Sequence, residues 1–257
     1  MQIDYLVSQI RENRPDAAGT AAKLGSQASP YIAPLADDPN PEVRAMALLC
    51  LGVTGGSLAS EKALEKLNDA DEQVFSQALQ VLQRHPPFGK ERQLVEIFER
   101  SDRMGIRENL PLIAGRLAPH VDSKPWLNSW QKETDPQVRE SLTVALSRMG
   151  NPQAREEFVK KLMSAQGPDV IRWLEHCNYM QDPWILPDVV LLLDRTEEAL
   201  ELNPDGKNKW PLRVCDLAVR TIIELTGARV SFPVKRPSQF TSQEIEEVRQ
   251  IALRRTK

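Results

Sequence analysis

The chain has 257 residues and a formal net charge of −3, from 33 lysines and arginines against 36 aspartates and glutamates. Apolar residues make up 41% and charged residues 27%, a balance that excludes wholesale disorder. Aromatic residues make up only 5%, fewer than a sheet-rich sandwich or barrel usually needs, and the slight acidity argues against nucleic acid as a partner.

The N-terminal segment 1–15 predicts no export signal, because it contains acidic residues and lacks the apolar core of a secretory signal. The longest apolar run, 189–193, is far too short to span a bilayer. The cysteines are widely spaced and show neither a disulfide framework nor zinc-ligand spacing: they are Cys50, Cys177 and Cys215. We therefore expect a reduced, cytoplasmic protein without membrane insertion.

An internal repeat is the strongest pattern in the chain. Helical patterns at 3–11 and 16–24 predict a degenerate first hairpin, and six similar segments follow. Their first apolar positions are Val43, Val74, Ile106, Val138, Val170 and Val214. The successive intervals are 31, 32, 32, 32 and 44 residues, a regularity typical of repeat proteins.

Within each segment the apolar residues recur four and then seven or eight positions after the first, which is the spacing of one helix face. An additional helical pattern precedes most of the segments, at 60–67, 91–99, 126–132 and 155–163. Each segment is thus the second helix of its hairpin. The repeating unit is therefore a helical hairpin, and hairpins must stack because one alone cannot cover its apolar face. We predict an all-α fold, an α-solenoid of about seven stacked helical hairpins.

The long last interval contains an insertion, 194–211. Part of it, 195–202, can extend a helix and leaves 203–210 as a loop. Insertions in solenoids tend to project from one face and to carry recognition.

The C-terminal segment lacks the repeat. Residues 228–240 are rich in proline and without a period, and Thr241 and Glu244 then resemble a capping box before a last apolar helix. We expect residues 1–227 to form the solenoid and 228–257 to form a strap and a C-terminal capping helix, within a single domain.

The second helices open with Asp-Pro-x-Val-Arg and close with Leu-Gly. This pattern resembles HEAT repeats of the short bacterial type, including the HEAT-like repeats of phycobilin lyases; the match is complete at 135–139 and partial at 40–44 and 106–107. In such repeats Asp and Arg form a ladder between neighbouring units. The resemblance implies this structural role for Asp71, Asp135, Arg44, Arg107 and Arg139. Phe75 and Ile171 stand where arginine is expected, so we predict an interrupted ladder there.

We find no catalytic constellation in the sequence. His85 and His120 lie beside prolines at predicted turns, without a carboxylate or cysteine at ligand spacing, and the glycines of 52–57 lack the ending of a phosphate loop. We therefore expect no cofactor and no metal, and predict that the chain is not an enzyme. Enzymes with HEAT-like architecture exist, among them phycobilin lyase subunits and alkylpurine DNA glycosylases; the net acidity disfavours the second alternative.

Three arginines recur every 32 residues at the ends of second helices: Arg84, Arg116 and Arg148. Each can complement the C-terminal end of its own helix. Alternatively, the three form a stripe for an acidic partner surface, because arginine makes bidentate contacts with carboxylates.

Aromatic residues single out the sixth repeat, where Trp173, His176 and Tyr179 recur every three residues. They are either core residues or binding anchors. The insertion adds a second candidate group, Lys207, Lys209 and Trp210.

These observations predict non-catalytic protein binding as the function. The binding surfaces are the concave face, which the second helices line in a curved stack, and the insertion. The partner is another protein with an acidic or aromatic-accepting surface. The chain is then a bacterial scaffold or adaptor, or an inhibitor of the immunity-protein type, with a chromophore-lyase-like subunit as the alternative. The sequence does not choose among these roles or give the oligomeric state.

Overall fold

The computed structural model describes residues 2–202, 210–234 and 239–255, and only the backbone of Leu202 and Trp210. The described chain is helical apart from one two-stranded hairpin. The predicted fold class, an all-α solenoid of HEAT-like helical hairpins, is confirmed. The chain divides into two compact units, an N-terminal unit (Met1–Ala145) and a C-terminal unit (Leu146–Lys257).

The N-terminal unit is built of successive hairpins with short 3₁₀ turns between some of the helices. Its helices are α1 (Gln2–Arg11), α2 (Ala17–Leu24), α3 (Ser29–Ile32), α4 (Pro41–Thr54), α5 (Ser57–Glu65), α6 (Glu72–Arg84), α7 (Glu91–Arg100), α8 (Met104–Gly115), α9 (Lys124–Lys132) and most of α10 (Pro136–Arg148). The second helix of one hairpin packs on that of the next in three successive cases: α2 on α4, α4 on α6 and α6 on α8. This contact between equivalent helices is the stacking that the repeat predicts.

The C-terminal unit continues with helices and contains the two strands. Its elements are α11 (Pro152–Ser164), α12 (Pro168–Met180), α13 (Leu186–Leu191), β1 (Glu198–Leu202), β2 (Trp210–Arg213), α14 (Val214–Thr226) and α15 (Ser242–Arg255). Helix α12 packs on α14, and α14 packs on α15.

Local sequence explains where the second helices begin and which face they bury. The carboxylate of Asp71 accepts the N–H groups of Gln73 at 2.9 Å and Val74 at 3.0 Å, which satisfies two backbone donors in the first turn of α6. Val74, Ala78 and Leu82 have no exposed surface, as the helix-face spacing predicts.

The insertion departs from the expected helix. Residues 198–202 form β1, which pairs antiparallel with β2 and places Leu200 opposite Leu212. The strand pairing continues where the Cys215 N–H donates to the Arg195 carbonyl at 2.8 Å. A segment with good helix formers is therefore extended, because cross-strand hydrogen bonds outweigh a weak local propensity.

The C-terminal helix begins as predicted. The Thr241 backbone N–H and hydroxyl both donate to the Glu244 carboxylate, at 2.7 and 2.9 Å. Arg249 of α15 pairs with Asp194 at 2.6 Å. The division into a solenoid of residues 1–227 and a strap with a capping helix stays a prediction. In the described ranges, no helix combines the length and the apolar character that crossing a bilayer requires.

Candidate functional site

Two of the three repeating arginines lie at equivalent ends of neighbouring helices in the N-terminal unit. Arg84 is the last residue of α6 and Arg116 follows the last residue of α8, and both side chains are exposed. The two helices pack together, and the Gln83 amide donates to Asn109 Oδ1 at 2.9 Å across their contact. The 32-residue spacing therefore corresponds to a pair of exposed cations.

The third arginine has a different environment. Arg148 belongs to the C-terminal unit, is half-buried, and donates to the carbonyl oxygen of Tyr179 near the end of α12. Its guanidinium carbon lies 4.8 Å from the centre of the Tyr179 ring. Arg148 thus contacts the C-terminal end of the next second helix, and it does not extend the exposed pair. Tyr179 is half-buried beneath it.

A pocket of about 330 Å³ opens beside Arg84, between α5 and the turn that joins α6 to α7. Phe88 and Lys90 contribute from the turn, and Ser60 and Glu61 contribute from α5. Phe88 is 69% exposed, more than any other large apolar side chain in the described part of the chain. We call this feature, with its prolines Pro86 and Pro87, the Phe88 pocket.

The turn that presents Phe88 is fixed by its own hydrogen bonds. The Phe88 N–H donates to the Pro86 carbonyl at 3.0 Å, and the Lys90 N–H donates to the Pro87 carbonyl at 3.1 Å. The Gly89 N–H donates to the Glu91 carboxylate at 2.9 Å. Since proline also fixes φ, Phe88 is held in its exposed position before any partner arrives.

His85 anchors the base of the Phe88 pocket. Its Nε2 lies 2.8 Å from the Gly52 carbonyl oxygen of the preceding second helix, and its own carbonyl accepts the Ser60 hydroxyl at 2.8 Å. Gly55 and Gly56, between α4 and α5, adopt φ of +72° and +90°, which side chains disfavour. His85 lies at a turn, as predicted, and its half-buried ring links two repeats.

Sequence reasoning missed Phe88. A single phenylalanine between two prolines and a glycine belongs to no helical period, so it gives no pattern to read. The available signal was a large apolar residue inside a turn, where polar residues are the norm.

The aromatic residues of the sixth repeat are divided between core and partial exposure. Trp173 is only 4% exposed and packs edge to face on Phe158, with ring centres 5.0 Å apart. The half-buried His176 ring lies 5.5 Å from Trp173. Of the two alternatives for Trp173, the structure therefore shows core packing, and a buried indole offers no area to a partner.

The candidates in the insertion cannot be placed. Lys207 and Lys209 lie outside the described residues. Trp210 begins β2 opposite Leu202, and the position of its side chain is not described.

Arg44 and Arg107, two of the predicted ladder arginines, form contacts between neighbouring repeats, but with other carboxylates than expected. Arg44 makes a bidentate ion pair with Asp69, with N–O distances of 2.8 and 2.9 Å. Arg107 pairs with Glu133 at 2.5 Å. Each carboxylate lies two residues before the expected partner, Asp71 or Asp135. At these two places the ladder runs through the turn that precedes the second helix.

Asp71 and Asp135 instead cap helices. Asp135 accepts the N–H groups of Gln137 at 2.9 Å and Val138 at 3.0 Å, as Asp71 does in α6. Arg139 donates to the Trp130 carbonyl at 2.9 Å, and its guanidinium carbon lies 4.7 Å from the Trp130 ring centre.

Groups with chemical reactivity are dispersed. Among residues 2–202, 210–234 and 239–255, no three His, Cys, Asp or Glu side chains are grouped so as to hold a metal ion. All three cysteines are buried and free, and burial raises the pKa of the Cys50 thiol to about 12. His120 is exposed in a turn.

Comparison with known families agrees with the repeat architecture. The family model of the HEAT repeat matches residues 29–54, which include α3 and α4. The chain contains a HEAT repeat. HEAT repeats commonly mediate protein interactions, so the match supports a helical repeat protein that binds other proteins. No curated protein sequence matches the chain significantly.

One similar solved structure is human deoxyhypusine hydroxylase in complex with glycerol. It is 16% identical to this HEAT-repeat chain, with a TM-score of 0.37, over 98% of this chain and 94% of the hydroxylase chain. We predicted that the chain is not an enzyme, and this comparison contradicts that prediction because the matched structure is that of an enzyme. A likeness of this size does not transfer the hydroxylase activity to this chain.

Proposed function

We propose that this chain binds another protein through a surface formed by the ends of α6 and α8. The observation that carries the proposal is the exposed pair Arg84 and Arg116, at equivalent ends of two helices that pack together. Arginine forms bidentate hydrogen bonds with carboxylates, and charge complementarity speeds association and selects partners. The partner surface is therefore acidic at the contact.

A protein interface needs apolar surface as well as charge, and the Phe88 pocket beside Arg84 supplies the apolar surface. Interfaces combine an apolar centre with a charged rim, and aromatic and arginine side chains carry much of their binding energy. The joint presence of both residue types on one surface supports protein binding over a purely structural role for the arginines.

Two roles are consistent with such a surface in a cytoplasmic protein. An immunity-type inhibitor binds one partner through a large interface, of about 1,200–2,000 Å² or more. A scaffold or adaptor binds several partners more weakly. The alternative to both roles is a chromophore-lyase-like subunit, which would bind a tetrapyrrole or the protein that accepts it.

The test compares two double charge reversals. The first variant carries Arg84→Glu and Arg116→Glu. The control carries Arg11→Glu and Arg100→Glu, which change exposed arginines at the ends of first helices α1 and α7 by the same charge. Arg148 is left intact, because its contact with the Tyr179 carbonyl is structural. Wild type and both variants are used for affinity capture from cell extract, at low and high salt, with quantitative mass spectrometry of the captured proteins.

We expect a captured protein that the first variant loses about tenfold or more and the control retains, and whose capture by wild type falls with salt. The captured protein is then purified, and its affinity for wild type and for each of the two double variants is measured by titration. One dominant protein indicates the inhibitor role, and several indicate the adaptor role. Equal capture by both variants, or a coloured tetrapyrrole with no captured protein, would overturn the proposal.

A further inference from the structure

We infer that the Phe88 pocket binds an extended segment of the partner, in which one apolar side chain is flanked by acidic residues. This inference rests on the proposed function, because Arg84 belongs to both surfaces, and it adds the chemistry of the segment that is recognised. Three properties of the pocket support it: its size and apolar rim, its rigidity, and its charge.

The size fits the insertion of one large side chain. The pocket holds about 330 Å³, which is at the lower end of small-molecule sites and suits one or two residues of a peptide. Pro86 and Phe88 form an apolar rim, and the buried Pro87 also lines the pocket. An aromatic ring that is 69% exposed gains contact area when a partner covers it, so Phe88 is placed as an anchor.

Rigidity lowers the cost of binding. The prolines and the three hydrogen bonds of the turn hold the rim, and the bond between His85 and the Gly52 carbonyl holds the base. Little conformational freedom remains to be lost when a segment docks, so even a short segment can bind measurably.

The charge of the lining selects acidic flanks. Arg84 and Lys90 line the pocket, and neither side chain forms an ion pair with any residue that the structure describes. Only Glu61 opposes them among the lining residues, so the balance is positive. The first turn of α5 begins at the same edge, and its N–H groups add partial positive charge, because Gly56 supplies no capping side chain.

The experiment selects displayed random peptides of about twelve residues on the full chain. Selection is run on wild type, on Phe88→Ser, and on Tyr31→Ser as the matched control, since Tyr31 is an aromatic residue of the same unit that is 56% exposed and does not line the pocket. Thermal melting of all three confirms that they are equally folded. The peptides most enriched on wild type are synthesised and their Kd values measured.

We expect the enriched peptides to share an apolar residue with Asp or Glu on either side. Their Kd should rise about tenfold on Phe88→Ser and on Arg84→Glu, and should stay unchanged on Tyr31→Ser and on Arg116→Glu, which lies outside the pocket. Peptides that are basic, that bind Phe88→Ser as well as wild type, or that are not enriched at all would overturn the inference.

The failure of this inference can be told from failure of the proposed function. If no acidic peptide is selected while the Arg84 and Arg116 double variant still loses its captured protein, only the pocket inference fails. A second copy of this chain is another candidate occupant of the pocket. Sedimentation velocity of wild type and Phe88→Ser tests it by measuring whether each protein is a monomer or a dimer. A wild-type dimer that Phe88→Ser dissociates would show that a second copy of this chain fills the pocket, and would also overturn the inference.

Discussion

At the scale of single residues, Phe75 shows how one repeat replaces the ladder contact. It stands where the neighbouring repeats carry Arg44 and Arg107, and an interrupted ladder was expected there. The guanidinium of Arg103, from the next repeat, lies 3.4 Å from the centre of the Phe75 ring and also pairs with Glu72 at 2.6 Å. An arginine on the opposite side of the contact thus restores a link between the two repeats by a cation–π interaction.

The position of the Phe75 ring makes a glycine necessary at position 105. A Cβ atom on Gly105 would lie 2.9 Å from two carbons of the Phe75 ring, a distance that real Cβ contacts essentially never show. Phe75 is buried by its neighbours and cannot move away freely. We expect Gly105→Ala to lower the free energy of unfolding by about 1–3 kcal/mol, measured by chemical denaturation.

Gly19, in the first turn of α2, provides the matched control, because a Cβ there would meet no atom within 4 Å. We expect Gly19→Ala to raise the free energy of unfolding by about 0.5–1 kcal/mol through helix propensity alone. Combining Gly105→Ala with Phe75→Leu should recover part of the loss. The steric explanation would be contradicted if both glycine substitutions changed stability in the same direction.

Single-residue contacts such as these were the least predictable from the sequence. The sequence showed that Phe75 replaces the arginine of the repeat pattern. It did not show that Arg103 makes the contact between the two repeats, because Arg103 lies 28 positions later and outside the pattern. Phe88 was missed for the same reason. A long-range contact made by one side chain leaves no periodic trace.

At the scale of secondary-structure elements, four second helices of the N-terminal unit begin with the same arrangement: α4, α6, α8 and α10. The side chain two positions before the cap accepts the backbone N–H of the cap residue. The four pairs are Asp38 with Asn40 at 2.9 Å, Asp69 with Asp71 at 3.0 Å, Ser101 with Arg103 at 3.2 Å, and Glu133 with Asp135 at 2.9 Å. Where this side chain is Asp69 or Glu133, the same carboxylate also receives the arginine of the preceding repeat. One residue therefore fixes both the start of a helix and its link to the next hairpin.

The link between Arg44 and Asp69 predicts a specific pH dependence. The Arg44 guanidinium lowers the pKa of the Asp69 carboxyl below its ordinary value, although partial burial opposes this effect. A group with a lowered pKa in the folded state stabilises the protein above its unfolded pKa of about 3.9, and the contribution is lost as the pH falls through the folded value. We expect Asp69→Asn to cost about 1.5–3 kcal/mol at pH 7 and progressively less as the pH falls below about 4, measured by denaturation across pH.

Asp38→Asn is the control for this prediction. Asp38 occupies the same position one repeat earlier and accepts its cap N–H, but its carboxylate forms no ion pair with a residue in the described ranges. If Asp38→Asn were as costly as Asp69→Asn at pH 7, the loss would come from the cap contact, and the arginine would not be its cause.

The helices themselves were predictable, whereas the strands were not. The second helices follow from local patterns, because cap residues and a 3.6-residue apolar period act within one element. Residues 198–202 form a strand only through pairing with 210–213, and a local pattern in 198–202 does not reveal that partner strand. The acidic partners of the ladder were displaced by two residues for a related reason: an aspartate at a cap position can serve the helix or the arginine, and the pattern alone does not say which.

At the scale of the whole molecule, the three cysteines are distributed over both compact units. Cys50 lies in the N-terminal unit, and Cys177 and Cys215 lie in the C-terminal unit. Burial raises the pKa of all three thiols. In a repeat protein each hairpin contacts mainly its neighbours, so units can open with different free energies. The rate at which each thiol reacts then reports the opening of its own unit.

We expect none of the three thiols to react with an aromatic disulfide reagent within minutes at pH 8 in the folded chain, because only a thiolate attacks and each is held protonated and covered. All three should react in guanidinium chloride, where the ordinary cysteine pKa of about 8.5 returns.

The Gly105→Ala variant should speed the labelling of Cys50 by about tenfold for each 1.4 kcal/mol lost, and should leave the rate at Cys215 close to that of wild type, as followed by mass spectrometry of labelled peptides. Gly19→Ala serves as the control that does not speed Cys50. Rapid labelling of any thiol in the folded chain would contradict its burial, and equal acceleration at Cys50 and Cys215 would show that the chain opens as a single cooperative unit.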